Sequence, residues 1–253
     1  MRKISKYLEF VQSDLEPVKS FEIQEELNPK IWNEDKTIKE DVKEQLIQIA
    51  YEFYEGTDLD ADIQDVILTG SLANYNWSEH YSDYDLHILI DFSEVSDDIE
   101  LVKKYVDGAR KIWNDYYDVR IEGYEVEVYI QEADEPHISS GMYSLMNEEW
   151  IVKPSPIDFE LPEDEIKDKA RPVMEQISDL EKELEVSNDH DYEKFQTKIK
   201  SVWNKVKNFR KSGLAEEGGE MSIGNLVFKL LRRNGYIGKI MDMKRKSYEM
   251  KYE

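Results

Sequence analysis

The stretch Val66-Ile67-Leu68-Thr69-Gly70-Ser71, followed by Ser82-Asp83-Tyr84-Asp85-Leu86-His87-Ile88-Leu89-Ile90, decides the fold. The first run is short, apolar and β-branched, which predicts a buried strand ended by Gly70, and Ser71 can cap a short helix through Asn74. The second run predicts a strand over 84–91. Residues i and i+2 of a strand share a face, so Asp83, Asp85 and His87 point one way while Leu86, Ile88 and Ile90 face a core. Two carboxylates so placed can grip one divalent cation.

Upstream, Val42, Leu46, Ile49, Ala50 and Phe53 form the stripe of an amphipathic helix over 41–54. Downstream, Val102, Val106, Ala109, Trp113 and Tyr116 mark another, and 124–130 alternates as a half-buried strand with Glu125 and Glu127 on one face. Helices between strands imply an α/β layer. Residues 142–152 read as a hairpin around Asn147-Glu148, and Pro154, Pro156 and Pro162 punctuate a linker, so a boundary near residue 160 separates domains 1–160 and 161–253. Beyond it, Ala170, Val173, Ile177, Leu180 and Leu184 form one helical stripe, whose helix Pro172 is expected to start. Phe195, Ile199, Val202, Val206 and Phe209 form a second stripe. A glycine-containing turn at 213–219 then leads to a third helix (Ile223, Val227, Leu230, Leu231) and a basic fourth after Gly235, together a small helical bundle.

The formal net charge of −23 is unevenly spread: residues 201–253 hold 12 Lys and Arg against 6 Asp and Glu, leaving 21 against 50 in the rest. An acidic body repels phosphate backbones, which argues against nonspecific duplex binding by that part. Any nucleic acid would meet the C-terminal part, where Lys229, Arg232, Arg233, Lys239, Lys244, Arg245 and Lys246 cluster; opposed charges within one chain favour the acidic body as their counterpart. Cysteine is absent, which excludes disulfides, thiolate zinc sites and a Cys nucleophile and suits a reducing cytoplasm. No apolar stretch reaches the roughly 20 residues of a membrane span, and the N-terminus lacks a signal-peptide core. The expectation is a cytoplasmic protein with no membrane role, its oligomeric state open.

Strand, Gly70-Ser71 turn, short helix and a strand opening Asp83-Tyr84-Asp85 resemble the nucleotidyltransferase superfamily that includes DNA polymerase β. The resemblance implies a polymerase β-like α/β (α+β) core with a mixed sheet, here followed by the C-terminal helical bundle. It also implies transfer of a nucleoside monophosphate from an NTP such as ATP to a hydroxyl on RNA, protein or a small molecule. Two Mg²⁺ ions, with Mn²⁺ as substitute, would be held by Asp83, Asp85 and a third carboxylate, Glu127 with Glu125 as runner-up. Gly70, Ser71, Asn74 and Ser82 would contact the nucleotide. A triphosphate carries about four negative charges that this carboxylate cluster would repel without the metal. The chain departs from the superfamily pattern in three ways. Eleven residues separate Ser71 from Asp83, the turn lacks the arginine many relatives place there, and the third ligand is Glu where Asp is usual.

Leu27-Asn28-Pro29-Lys30, Gly141-Met142-Tyr143-Ser144-Leu145 and Gly224 to Arg233 are similar to stretches of nucleotidyltransferase-like proteins of tailed bacteriophages, which would put the chain in a host cytoplasm. Two alternatives stand beside transfer: a noncatalytic nucleotide-binding or structural protein, and a toxin-type transferase acting on tRNA or a partner protein. Lys153 and Arg120 are candidate countercharges for the triphosphate, and His137 lies in a loop able to cover it. His87 shares the carboxylate face but reads as a plain strand histidine, and His80 and His190 read as surface.

Overall fold

The computed structural model describes residues 16–136, 139–186, 192–215 and 218–252; His137 and His190 lie outside them. The chain divides into two compact units. One is Glu22–Phe159. The other comprises Glu160–Glu253 with the N-terminal 3₁₀ turn Glu16–Phe21.

The first unit runs α1 (Glu40–Glu55), β1 (Ile63–Thr69), a 3₁₀ turn (Ser71–Ala73), β2 (Tyr84–Ile90), α2 (Phe92–Val95), α3 (Ile99–Tyr116), β3 (Arg120–Ile121), β4 (Tyr124–Glu132), β5 (Met142–Ser144) and β6 (Glu149–Val152). The strands form one sheet in the order β3-β4-β2-β1-β5-β6. It is mixed, as the resemblance implied: β2 and β4 are parallel, and every other pairing is antiparallel. A parallel pair needs a long crossover, which α3 supplies. Leu86, Ile88 and Ile90 of β2, Val126, Val128 and Ile130 of β4, and Val66 and Leu68 of β1 join Leu46, Phe53, Val102 and Val106 of the helices in one buried core. The opposite face of β2 and β4 is only half buried, the alternation that a half-buried strand requires.

Helix α3 is capped by Asp98, whose side chain accepts from the Leu101 amide at 3.1 Å. Its apolar stripe is shorter than the sequence suggests. Val102 and Val106 are buried, Trp113 packs at the core margin, and Tyr116 is 79% exposed. Near its end, the Asn114 side-chain amide bonds both the Val128 carbonyl (3.4 Å) and the Val128 amide (3.2 Å). Strand β3 pairs only with Tyr124 and Glu125. Asn114 therefore caps an open strand edge that would otherwise offer unpaired groups.

The second unit contains α4 (Glu163–Glu185), α5 (Tyr192–Ala215), α6 (Ile223–Arg233) and α7 (Tyr236–Glu249). Two expectations are corrected here. Pro172 lies inside α4 and not at its start, because the helix begins with Glu163, Asp164 and Glu165 in the favourable first turn and Ile166, Ala170, Val173 and Ile177 bury one face across the proline. Tertiary burial thus overrides a residue that removes one helical donor and crowds a preceding carbonyl. Exposed Pro172 can be replaced without loss of packing, so Pro172→Ala is expected to stabilise this unit by about 2 kcal/mol, read as a raised urea midpoint with unchanged slope. Gly213 is likewise helical. A Cβ there would lie 2.4 Å from the Asn225 amide nitrogen, so its smallness serves the close approach of α5 to α6.

Candidate active site on the half-buried face of the sheet

Strand β1 delivers its chain end at Thr69, which pairs with Asp85 across the antiparallel ladder. Gly70 then takes φ +75° and ψ −160°, a combination essentially confined to glycine. A Cβ at Gly70 would lie 1.9 Å from Asp85 Oδ2. Only a residue without a side chain lets the turn sit this close to that carboxylate. Ser71 does not cap the 3₁₀ turn with its side chain. Its hydroxyl bonds the Ser82 hydroxyl at 2.7 Å, and Ser82 Oγ accepts from the Ser78 amide at 2.9 Å. This pair staples the end of the 75–83 loop to the turn, one residue before Asp83.

The parallel register places Asp85 opposite Glu127 and His87 opposite Tyr129. Neighbouring strands lie about 4.8 Å apart, so Asp85 and Glu127 start side by side on one face. Glu125 sits one step further along β4, opposite Arg120, whose guanidinium is 3.6 Å from it and 2.8 Å from Asp118. Arg120 is thus engaged by carboxylates of its own neighbourhood. Lys153 is exposed.

The Tyr129 hydroxyl donates to Glu127 Oε2 at 2.5 Å. Burial pushes the Tyr129 pKa well above that of a free phenol, and the Asp85 charge and the bond to Glu127 add to the rise. Tyr129 is therefore a fixed neutral donor. Its ring stacks on His87 at 4.7 Å and lies 5.0 Å from the Arg110 guanidinium of α3. His87 Nδ1 bonds Gln131 Oε1 at 2.9 Å, the arrangement of a structural strand histidine; His80 is exposed.

Burial also raises the Glu125 pKa; Arg120 lowers it, and the charges of Asp118, Glu127 and Asp83 raise it further. A carboxyl whose folded pKa is raised costs stability once ionised. That cost is absent below the unfolded value near 4.5 and grows as pH climbs through the folded value. Glu125→Gln should therefore raise the melting temperature slightly at pH 7 and leave it unchanged at pH 4, checked by thermal denaturation at both.

The turn is buttressed from outside. Trp32 Nε1 donates to the Leu72 carbonyl at 2.8 Å. Asn28, 1% exposed, donates to the Tyr124 hydroxyl at 2.7 Å. Gly141 abuts the Ala73 carbonyl so closely that a Cβ would come within 2.0 Å of it. Asn74, 4% exposed, donates to the Ser140 hydroxyl and accepts from the Tyr75 amide at 2.8 Å, so its amide shapes the turn from within. Sequence reasoning missed Tyr129, Arg110 and Asn28 as site neighbours. Tyr129 carried a signal, its i+2 spacing from Glu127.

Among the described residues, no three His, Asp or Glu side chains already converge as a metal-binding group. The donor set is nonetheless chemically suited to Mg²⁺, a hard cation that takes carboxylate oxygens from one or two side chains together with phosphate and water.

No protein-family model matches the chain, and no curated protein does. Among solved structures, the chain aligns with a STING-associated CdnE c-di-GMP synthase from Capnocytophaga granulosa, at 10% identity over 84% of each chain with a TM-score of 0.22. A score this low carries no argument about fold or chemistry. No helix among the described residues is long and apolar enough to cross a membrane.

Proposed function

We propose that the chain is a Mg²⁺-dependent nucleotidyltransferase that moves a nucleoside monophosphate from an NTP to a hydroxyl acceptor and releases pyrophosphate. The observation that carries this reading is the in-register pair Asp85 and Glu127 beside a glycine turn that tolerates no side chain. Asp83, Asp85 and Glu127 would hold the cation. The chemistry Mg²⁺ supplies when bound is a lowered pKa at the acceptor hydroxyl and charge neutralisation at the departing pyrophosphate. In this reading Asp83 and Asp85 would offer carboxylate oxygens from the start of β2, and Glu127 would offer the third from the adjacent strand. Tyr129 orients Glu127 by its hydrogen bond and stays protonated while doing so. Gly70, Ser71 and Ser82 would receive the triphosphate, with Asn74 holding the turn in shape.

The test is release of pyrophosphate from each NTP in the presence of Mg²⁺, with and without cell extract as a source of acceptor. Metal-dependent release supports the reading; none from any NTP opposes it. The second reading, a noncatalytic nucleotide-binding protein, is favoured by one observation: among the described residues no three acidic or histidine side chains form a group that could hold a metal ion. It predicts NTP binding without release, and a thermal shift that ignores Mg²⁺.

A further inference from the structure

We propose that the groove between α5 and α7 binds single-stranded nucleic acid. The groove encloses about 660 Å³ and is lined by Lys200, Trp203 and Lys207 from α5 and by Lys244, Arg245 and Tyr248 from α7. On α5 the spacing Lys-x-x-Trp-x-x-x-Lys puts all three on one helical face, and Lys244 and Tyr248 are one turn apart on α7. Gln196 donates to the Ser247 carbonyl at 3.2 Å and ties the two helices together at the groove.

In a chain of net charge −23, this lining contains cations and aromatics and no carboxylate. Asp242 engages Arg245 at 3.0 Å from the exposed side of α7. Three other C-terminal cations are used differently. Arg233 lies 4.2 Å over the Phe21 ring and bonds Ser20, and Lys239 pairs with Glu181 at 2.8 Å. Half-buried Lys229 has its pKa lowered, chiefly by burial.

Aromatic faces choose among anions. Trp203 is half buried, with the Lys207 ammonium 5.6 Å from its ring, and Tyr248 is 58% exposed. Bases stack on such faces while adjacent cations take the phosphates, a combination that serves unpaired strands because every unpaired base offers a π-face. A duplex hides its bases and so offers these aromatics no face to stack on. Charge elsewhere on the protein is screened beyond about 8 Å at physiological salt, so the groove acts locally. At most four phosphates are neutralised, which predicts a slope of log affinity on log salt no steeper than about −3.

The inference is independent of the transfer chemistry proposed for the sheet. It is tested with the full chain by fluorescence anisotropy, using a short labelled oligouridine, the matching oligothymidine, a duplex and polyglutamate. The expected result is binding of one or both single strands, the two arms deciding between RNA and DNA, with the duplex weaker. Trp203→Ala should weaken binding about tenfold and Trp203→Phe should restore most of it. Lys207→Glu with Lys244→Glu, two exposed changes that leave packing intact, should abolish binding. Asp85→Asn should bind as the wild type does. Absence of single-strand binding overturns the inference. So does binding unaffected by the lysine reversals, or equally tight polyglutamate binding that ignores Trp203. Loss of binding in Asp85→Asn alone would assign it to the sheet and overturn it as well.

Discussion

Asp85→Asn is expected to lower nucleotidyl transfer at least about 10³-fold while leaving the protein as stable as the wild type or slightly more so. Asparagine keeps the shape of the side chain and removes the charge. The loss follows from the several kcal/mol of transition-state stabilisation that a metal-held phosphoryl group gains, at about 1.36 kcal/mol per tenfold in rate. Stability should not fall, because Asp85 lies in register beside Glu127 on the face that also carries Glu125, and one fewer carboxylate relieves repulsion. Kinetics and thermal denaturation on the same preparation check both halves. A variant that lost activity by unfolding would show a lowered melting temperature, and a side chain irrelevant to chemistry would leave the rate unchanged.

Gly70→Ala should be damaging in two ways. At φ +75° and ψ −160° an alanine pays for a backbone region nearly closed to it. Its Cβ would also lie 1.9 Å from Asp85 Oδ2 and 2.8 Å from the Asp85 carboxyl carbon, so that side chain must swing away. The expected cost is about 2–3 kcal/mol of stability together with transfer as low as in Asp85→Asn. The double variant Gly70→Ala with Asp85→Ala separates the causes. Removing the clash partner should recover part of the stability and none of the activity, a coupling that denaturant titration of the full cycle measures.

The alternation of Leu86, Ile88 and Ile90 with Asp85 and His87 was legible because period-two patterning of a half-buried strand is written directly in the residues. So was the run of strands and helices, whereas the mixed character of the sheet followed only from the family resemblance. The register that sets Glu127 opposite Asp85 was not legible, since Glu125 and Glu127 fall on one face and only the parallel pairing fixes which of them aligns. Pro172 misled because local propensity argues for a helix start, and burial of Ile166, Ala170 and Val173 outweighs it. Tyr116 misled by periodicity alone, which marks a face without showing where the core ends. Asn114 at the β4 edge and Asn28 under Tyr124 join residues 14 and 96 positions apart, and no local pattern announces such bonds.

In the proposed reaction, Asp83, Asp85 and Glu127 are drawn together by a divalent cation when nucleotide is present. Titration of Mn²⁺ into the protein with a nonhydrolysable NTP, followed by electron paramagnetic resonance, tests it most directly. The expected result is saturable Mn²⁺ binding that requires the nucleotide and disappears in both Asp85→Asn and Glu127→Gln. Binding that persists in both variants, or no nucleotide-dependent binding in the wild type, would contradict it.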